Sequence, residues 1–121
     1  MAEYKKLLVW QKAHGLAIDI DGLAKRIRGA ANAPLRNQMI RAAMSVPTNI
    51  VEGRAQISEK EFLRFPGYAL GSAAELDYHL LIAKDIAAIS EREYWQAEES
   101  LTEIRKMLHT LIKKVQLSAI G

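Results

Sequence analysis

Apolar residues return along this chain at alternating spacings of three and four, and no segment reads as a strand. The first such run is marked by Trp10, Ala13, Ala17, Ile20, Ala24 and Ile27, with Val9, Leu16 and Leu23 widening the stripe. That period puts one broad apolar face on a helix that has to pack against other helices. It predicts a first helix over about residues 4–28, with Gly29 as its C′ residue. Gly15 and Gly22 share an edge of this helix. Each costs helix stability relative to alanine, so a close helix approach is expected there.

Asn32 and Pro34 supply first-turn chemistry for a second helix over about residues 34–54, whose inner face is Leu35, Met39, Ala42, Ala43, Val46 and Ile50. "SEKE" has the form of a capping box, Ser58 with Glu61, and opens a third helix running to about Ala88. Its stripe is Phe62, Phe65, Ala69, Ser72, Leu76, Leu80, Ala83 and Ala87, and a second row is Leu63, Leu70, Ala74 and Leu81. A second box, Ser90 with Glu93, opens a fourth helix marked by Tyr94, Ala97, Leu101, Ile104, Leu108, Leu111 and Val115. Glutamates crowd its first half and Lys/Arg its second, the order that offsets the helix dipole. Short connections favour antiparallel neighbours. The expected architecture is therefore all-α: one domain over residues 1–121, an antiparallel up-down four-helix bundle.

Size and composition agree with this. A chain of 121 residues that is 50% hydrophobic can build a core without staples. It has no cysteine, which excludes disulfides, thiolate metal sites and a cysteine nucleophile. The apolar run LLVW near the N-terminus is too short for a signal segment. No apolar run approaches the roughly 18 residues of a membrane span. The expectation is a cytoplasmic protein without a membrane role.

"RAAMSVPTNIVEG" interrupts this regularity. Pro47 removes the amide that would bond back to Ala43 and presses its ring on that carbonyl. Either the helix kinks and continues, or it breaks and Ser45 caps a new segment. The apolar period persists through Ile50, which favours the kinked, continuous helix. Pro66 repeats the problem in the third helix. Gly67 and Gly71 follow at helical spacing, a small-residue face permitting close backbone contact. The two bent helices are expected to pack together.

At about 100° per residue, Arg41, Ser45, Thr48 and Glu52 form one narrow polar stripe with Asn49 at its edge. Ile40, Met44 and Val51 flank it on the side away from the core face. Two readings stand side by side. The stripe is a partly exposed edge with an Arg/Glu network, or it lies in a subunit interface or ligand groove where its members satisfy one another and freed carbonyls.

"LLVWQKAHGLA", "NQMIRAAMSVPTNIVEG", "SEKEFLRFPGYALGSAAEL" and "LLIAKDI" resemble, in order and spacing, a family of small four-helix-bundle proteins. These are encoded by intervening sequences of bacterial large-subunit ribosomal RNA genes and described as ribosomal-protein-like. The most specific piece runs from Arg41 to Gly53 and includes Ser45, Pro47, Asn49 and Glu52. Family members usually carry leucine where this chain has Pro66, a departure that bears on the local bend of the third helix. The resemblance implies a cytoplasmic protein assembling as a homopentameric ring. It also implies a distant relationship to the accessory protein of diversity-generating retroelements, a basic pentamer that binds nucleic acid and a reverse transcriptase.

Function follows from what the residues offer. His14, His79 and His109 are isolated. The paired Glu-x-x-His ligands of di-iron bundles are missing, as are H-E-x-x-H, a P-loop and G-x-S-x-G. No enzyme, cofactor or metal is expected. The net charge is +3, and no acidic residue lies from Gly22 to Val51, a stretch that holds Lys25, Arg26, Arg28, Arg36 and Arg41. These five are the expected nucleic-acid-binding residues, with Lys5, Lys6 and Lys12 as additions. Binding to RNA or DNA would be backbone-directed and sequence-tolerant, and a ring would multiply the field. The rival expectation is a protein-interaction scaffold, because Ile18, Ile40, Met44, Val51 and the second row of the third helix exceed what a monomer needs.

Overall fold

A computed structural model of the chain describes residues 3–55 and 58–120. Among these, all regular structure is helical: α1 (Leu8–Lys25), α2 (Ala33–Arg54), α3 (Glu59–Asp85) and α4 (Glu91–Ile120), with short 3-10 turns at Glu3–Lys6 and Ala30–Asn32. The expected unit of residues 1–121 thus includes Met1, Ala2, Gln56, Ile57 and Gly121, which lie outside the described residues.

One apolar core runs through all four helices. Ile20, Met39, Val46, Leu76, Leu80, Leu101, Ile104 and Leu108 are its largest fully enclosed aliphatic side chains. The stripes read from the sequence supply almost all of it, since burial of about 1.5–3 kcal/mol per large apolar side chain drives each striped face inward. Leu35 and Trp10 pack at its margin, half-buried. In α3 the inner position is Ala73 and not Ser72, whose hydroxyl instead turns to α2.

Helix ends differ from expectation at three places. The first helix begins at Leu8, because Leu7 is extended and separates it from the 3-10 turn. It ends at Lys25, where the amides of Arg26 and Ile27 close back on Leu23 and Ala24. Gly29 is therefore not the C′ residue of α1. It lies farther on at φ 97°, a conformation that glycine tolerates, and opens the next 3-10 turn. The third helix stops at Asp85, and Ala87 sits in the left-handed region at φ 61°. The amide of Ala88 donates to the Ala83 carbonyl at 2.8 Å and that of Ala87 to Lys84 at 2.9 Å, a glycine-type helix ending made with alanine.

Both internal prolines are accommodated without a break. Pro47 and Pro66 are buried inside the uninterrupted α2 and α3, so Ser45 is not the cap of a new segment. The most extensive interhelical packing is between these two helices. The close approach falls at Gly53, where an added Cβ would meet the Phe65 Cβ at 3.0 Å and the Phe62 ring at 3.5 Å. At Gly15, Gly67 and Gly71 an added Cβ would meet nothing within 4 Å, and at Gly22 only the Arg26 guanidinium. The expected close contacts at those four glycines are not made, because each faces away from neighbouring backbone.

The Ser90–Glu93 box is complete. The Glu93 amide donates to Ser90 Oγ at 3.0 Å and the Ser90 amide to Glu93 Oε1 at 2.8 Å. At Ser58 the hydroxyl accepts from the Glu61 amide at 3.2 Å. Because an L-residue in the left-handed region costs about 1–2 kcal/mol, Ala87→Gly is expected to raise the unfolding free energy by about 1 kcal/mol, read from chemical denaturation.

Candidate functional site

Three groupings of side chains stand out: the polar stripe of α2, the cations of the α1–α2 hairpin, and an apolar groove beside them. Arg41 and Ser45 of the stripe turn toward α3. Ser45 Oγ and Ser72 Oγ share a hydrogen bond of 2.7 Å across the seam, and the Arg41 guanidinium pairs with Glu75 while also donating to Gln38 at 2.7 Å. Asn49 Nδ2 donates to the Ser45 carbonyl at 2.8 Å and to Ser45 Oγ at 3.1 Å. Thr48 Oγ1 donates to the Met44 carbonyl at 2.8 Å. These two carbonyls follow directly after that of Ala43, which Pro47 deprives of its usual donor. Glu52 is exposed at the end of the stripe, and Gly53 makes the close contact with Phe62 and Phe65. Within one chain Arg41 and Ser45 thus form an interhelical seam with α3, while Thr48 lines the groove between α1 and α2.

Four of the five expected nucleic-acid-binding residues already have partners. Lys25 pairs with Asp21 at 2.8 Å, one helical turn earlier. Arg26 reaches Glu93 at 3.5 Å and the Gly22 carbonyl at 3.2 Å. Arg36 Nη1 donates to the carbonyls of Ile27 at 3.0 Å and Gly29 at 2.8 Å, tying the α1–α2 connection together. Arg41 is engaged at the seam. Arg28 alone is exposed with a guanidinium unpartnered among the described residues. Lys12 pairs with Glu103 at 2.8 Å, whereas Lys5 and Lys6 make no ion pair among the described residues.

Some of the lysines that make no ion pair among the described residues lie near one another elsewhere. Lys106 and Lys114 line a hollow with Leu7, Leu8, Met107 and Leu111, and Lys5 and Lys6 directly precede Leu7. Sequence reading passed over this arrangement because the two ends of the chain meet only through folding.

An open groove of about 430 Å³ crosses α1 and α2, lined by Trp10, Ile18, Met44, Pro47 and Val51 among others. His14 stacks on Trp10 at 4.8 Å, and Tyr4 meets the same indole edge-on at 5.0 Å. Ile18 and Met44 are 61% and 55% exposed, far above a core value, so this surface is unpartnered apolar area. Ile40 is half-buried against the core and does not line the groove. In the outer row of α3, Leu63 and Leu70 are half-buried while Ala74 and Leu81 are exposed.

No group of three or more His, Asp or Glu among the described residues is arranged to hold a metal ion. Glu75 is engaged with Arg41, and His79 Nδ1 is sealed without a hydrogen-bond partner among the described residues. None of the described helices is long and apolar enough to cross a membrane.

The position of Arg36 yields a test. Hydrogen bonds from a charged donor contribute about 1.5–3 kcal/mol, so Arg36→Met is expected to lower the unfolding free energy by about that amount. A drop in melting temperature would register it without any nucleic acid present.

Comparison with known proteins places this geometry in context. A crystal structure of a protein of unknown function from the S23 ribosomal protein family of Bacteroides thetaiotaomicron superposes with a TM-score of 0.82 at 27% identity, covering 88% of this chain and 99% of that one. No curated protein matches. The model of the 23S rRNA-intervening sequence protein family matches residues 5–110, nearly the whole of the four-helix unit. The chain belongs to the 23S rRNA-intervening sequence protein family.

Proposed function

We propose that this protein is a non-enzymatic, cytoplasmic homo-oligomer of antiparallel up-down four-helix bundles, closing as a homopentameric ring. The observation that carries the reading is the α1–α2 groove, where Trp10, Ile18, Met44 and Val51 leave a continuous apolar surface beside a well-filled core. Burying a large apolar side chain in a subunit contact contributes about 1.5–3 kcal/mol, which favours association over exposure. A ring needs one surface of each copy to meet a different surface of the next. The exposed row of α3, with Ala74, Tyr78 and Leu81, is a second apolar face available for that. The resemblance of the Arg41–Gly53 segment to the family motif supports the pentamer. A scaffold that presents such a face to another protein is the alternative, and it uses the same groove.

A second reading, sequence-tolerant binding of RNA or DNA, draws support from the lysines that lack ion pairs. Lys5, Lys6, Lys106 and Lys114 are better placed for phosphate than the hairpin residues Lys25, Arg26, Arg36 and Arg41, whose charge is already spoken for inside the chain. Arg28 would add to this from the other end.

Light scattering on the purified protein is expected to give the mass of a pentamer, and Ile18→Glu with Met44→Glu to give that of one chain. A wild-type monomer at micromolar concentration would sink the assembly. For nucleic acid, affinity for a generic RNA is expected to fall steeply with salt. Lys106→Glu with Lys114→Glu should weaken it more than Arg36→Met. No detectable binding at about 0.15 M salt would end this second reading.

A further inference from the structure

We propose that the outer face of α4 is a self-complementary docking surface, on which a second copy of this chain lies antiparallel about a two-fold axis at Lys106. Trp95, Glu99, Thr102, Thr110, Lys113 and Leu117 are exposed on α4, as is Lys106 itself. At 3.6 residues per turn all of them fall within about 80° of the helix circumference. The stripe has the same spacing in both directions. Steps of four, three and four lead from Trp95 to Lys106, and steps of four, three and four lead on to Leu117. A second α4 laid antiparallel therefore sets Trp95 against Leu117, Glu99 against Lys113 and Thr102 against Thr110, each of them twice.

The chemistry of these pairs is complementary. Trp95 and Leu117 are 59% and 61% exposed, and the Trp95 indole already rests edge-on against Tyr94 at 5.1 Å. An aromatic side chain held in that way loses little further freedom when it is covered. Glu99 and Lys113 make no ion pair among the described residues, so neither gives up a partner to meet the other. Thr110 Oγ1 donates to the Lys106 carbonyl of its own helix at 3.0 Å, which leaves the methyl group for the contact. Lys106 meets its counterpart on the axis, where two long side chains turn their ammoniums into water.

Charge selects both the direction and the occupant. Parallel helices would set Glu99 on Glu99 and Lys113 on Lys113, a repulsive arrangement. A polyanion would gain at Lys106 and Lys113 but would be repelled at the Glu99 end. A second copy satisfies both ends at once. The contact uses neither the α1–α2 groove nor the outer row of α3, so it stands whether or not a ring closes through those surfaces. A polyanion held at Lys106 would compete with it.

The contact is mostly polar and sensitive to salt, so a covalent trap reads it directly. The chain has no cysteine, so an introduced thiol is unique. Lys106→Cys, on the axis, is expected to oxidise to a disulfide-linked pair of chains, seen on a denaturing gel. Thr102→Cys meets residue 110 and not itself, and should link at least about tenfold more slowly. In the Lys106→Cys protein, Glu99→Lys should slow linkage, and adding Lys113→Glu should restore it. Because denaturation separates every other contact, the gel reads this pairing alone, and loss of the ring in light scattering would leave it unchanged. Equal linkage of Lys106→Cys and Thr102→Cys, or no recovery with the exchanged charges, would overturn the proposal.

Discussion

The packing of α2 on α3 sets the frame for the rest of the molecule. At one end Gly53 lets the Phe65 and Phe62 side chains come into contact with the α2 backbone. Farther along, Ser45 meets Ser72, and beyond that Arg41 meets Glu75. These three layers fix which residue of one helix faces which of the other. A side chain at Gly53 would push the aromatic layer outward and shift the polar layers out of reach. Two prolines fall within this pair of helices, and both are buried within continuous helix. The capping of neighbouring carbonyls by Thr48 and Asn49 keeps the polar cost of Pro47 local.

Charge is distributed by the same packing. A run without acidic residues looks electropositive in one dimension, but folding brings acids to it from elsewhere. Glu93 comes to Arg26 and Glu75 to Arg41, while Arg36 spends its donors on loop carbonyls. Exposed pairs of this kind contribute little to stability, near 0–1 kcal/mol, yet they reduce the field that a polyanion would sense. Positive charge left over includes Arg28 and lysines near the start of α1 and in the second half of α4.

The α3–α4 seam works differently. There the imbalance is one of hydrogen bonding: Arg105 Nη1 reaches Asp77 Oδ2 at 3.2 Å, while Glu98 Oε2 is cut off from water and has no partner among the described residues. Burial raises the Glu98 carboxyl above the ordinary carboxylate range. The apolar groove across α1 and α2 presents the complementary imbalance, exposed hydrophobic area without a cover. Both imbalances lie outside the core, where the fold itself is not at stake.

The sequence by itself determined the helices and the core. A stripe such as Met39, Ala42, Ala43, Val46 and Ile50 repeats at helical period over about three turns, and every one of these residues is buried. Such periodic signals are local and redundant, so no single residue decides them. The Ser90–Glu93 box was equally legible, because both partners lie within one turn. Helix ends were less so. Leu7, Arg26 and Ala87 carry no local stop signal, and tertiary bonds such as that of Arg36 decide where the helix yields. Only the tertiary structure decided which glycine is crowded, Gly53 and not Gly15, Gly67 or Gly71. It alone also brought Asp77 to Arg105 and Glu93 to Arg26. Such pairings depend on how whole helices are placed beside one another, and helical period within a single segment holds no information about that placement.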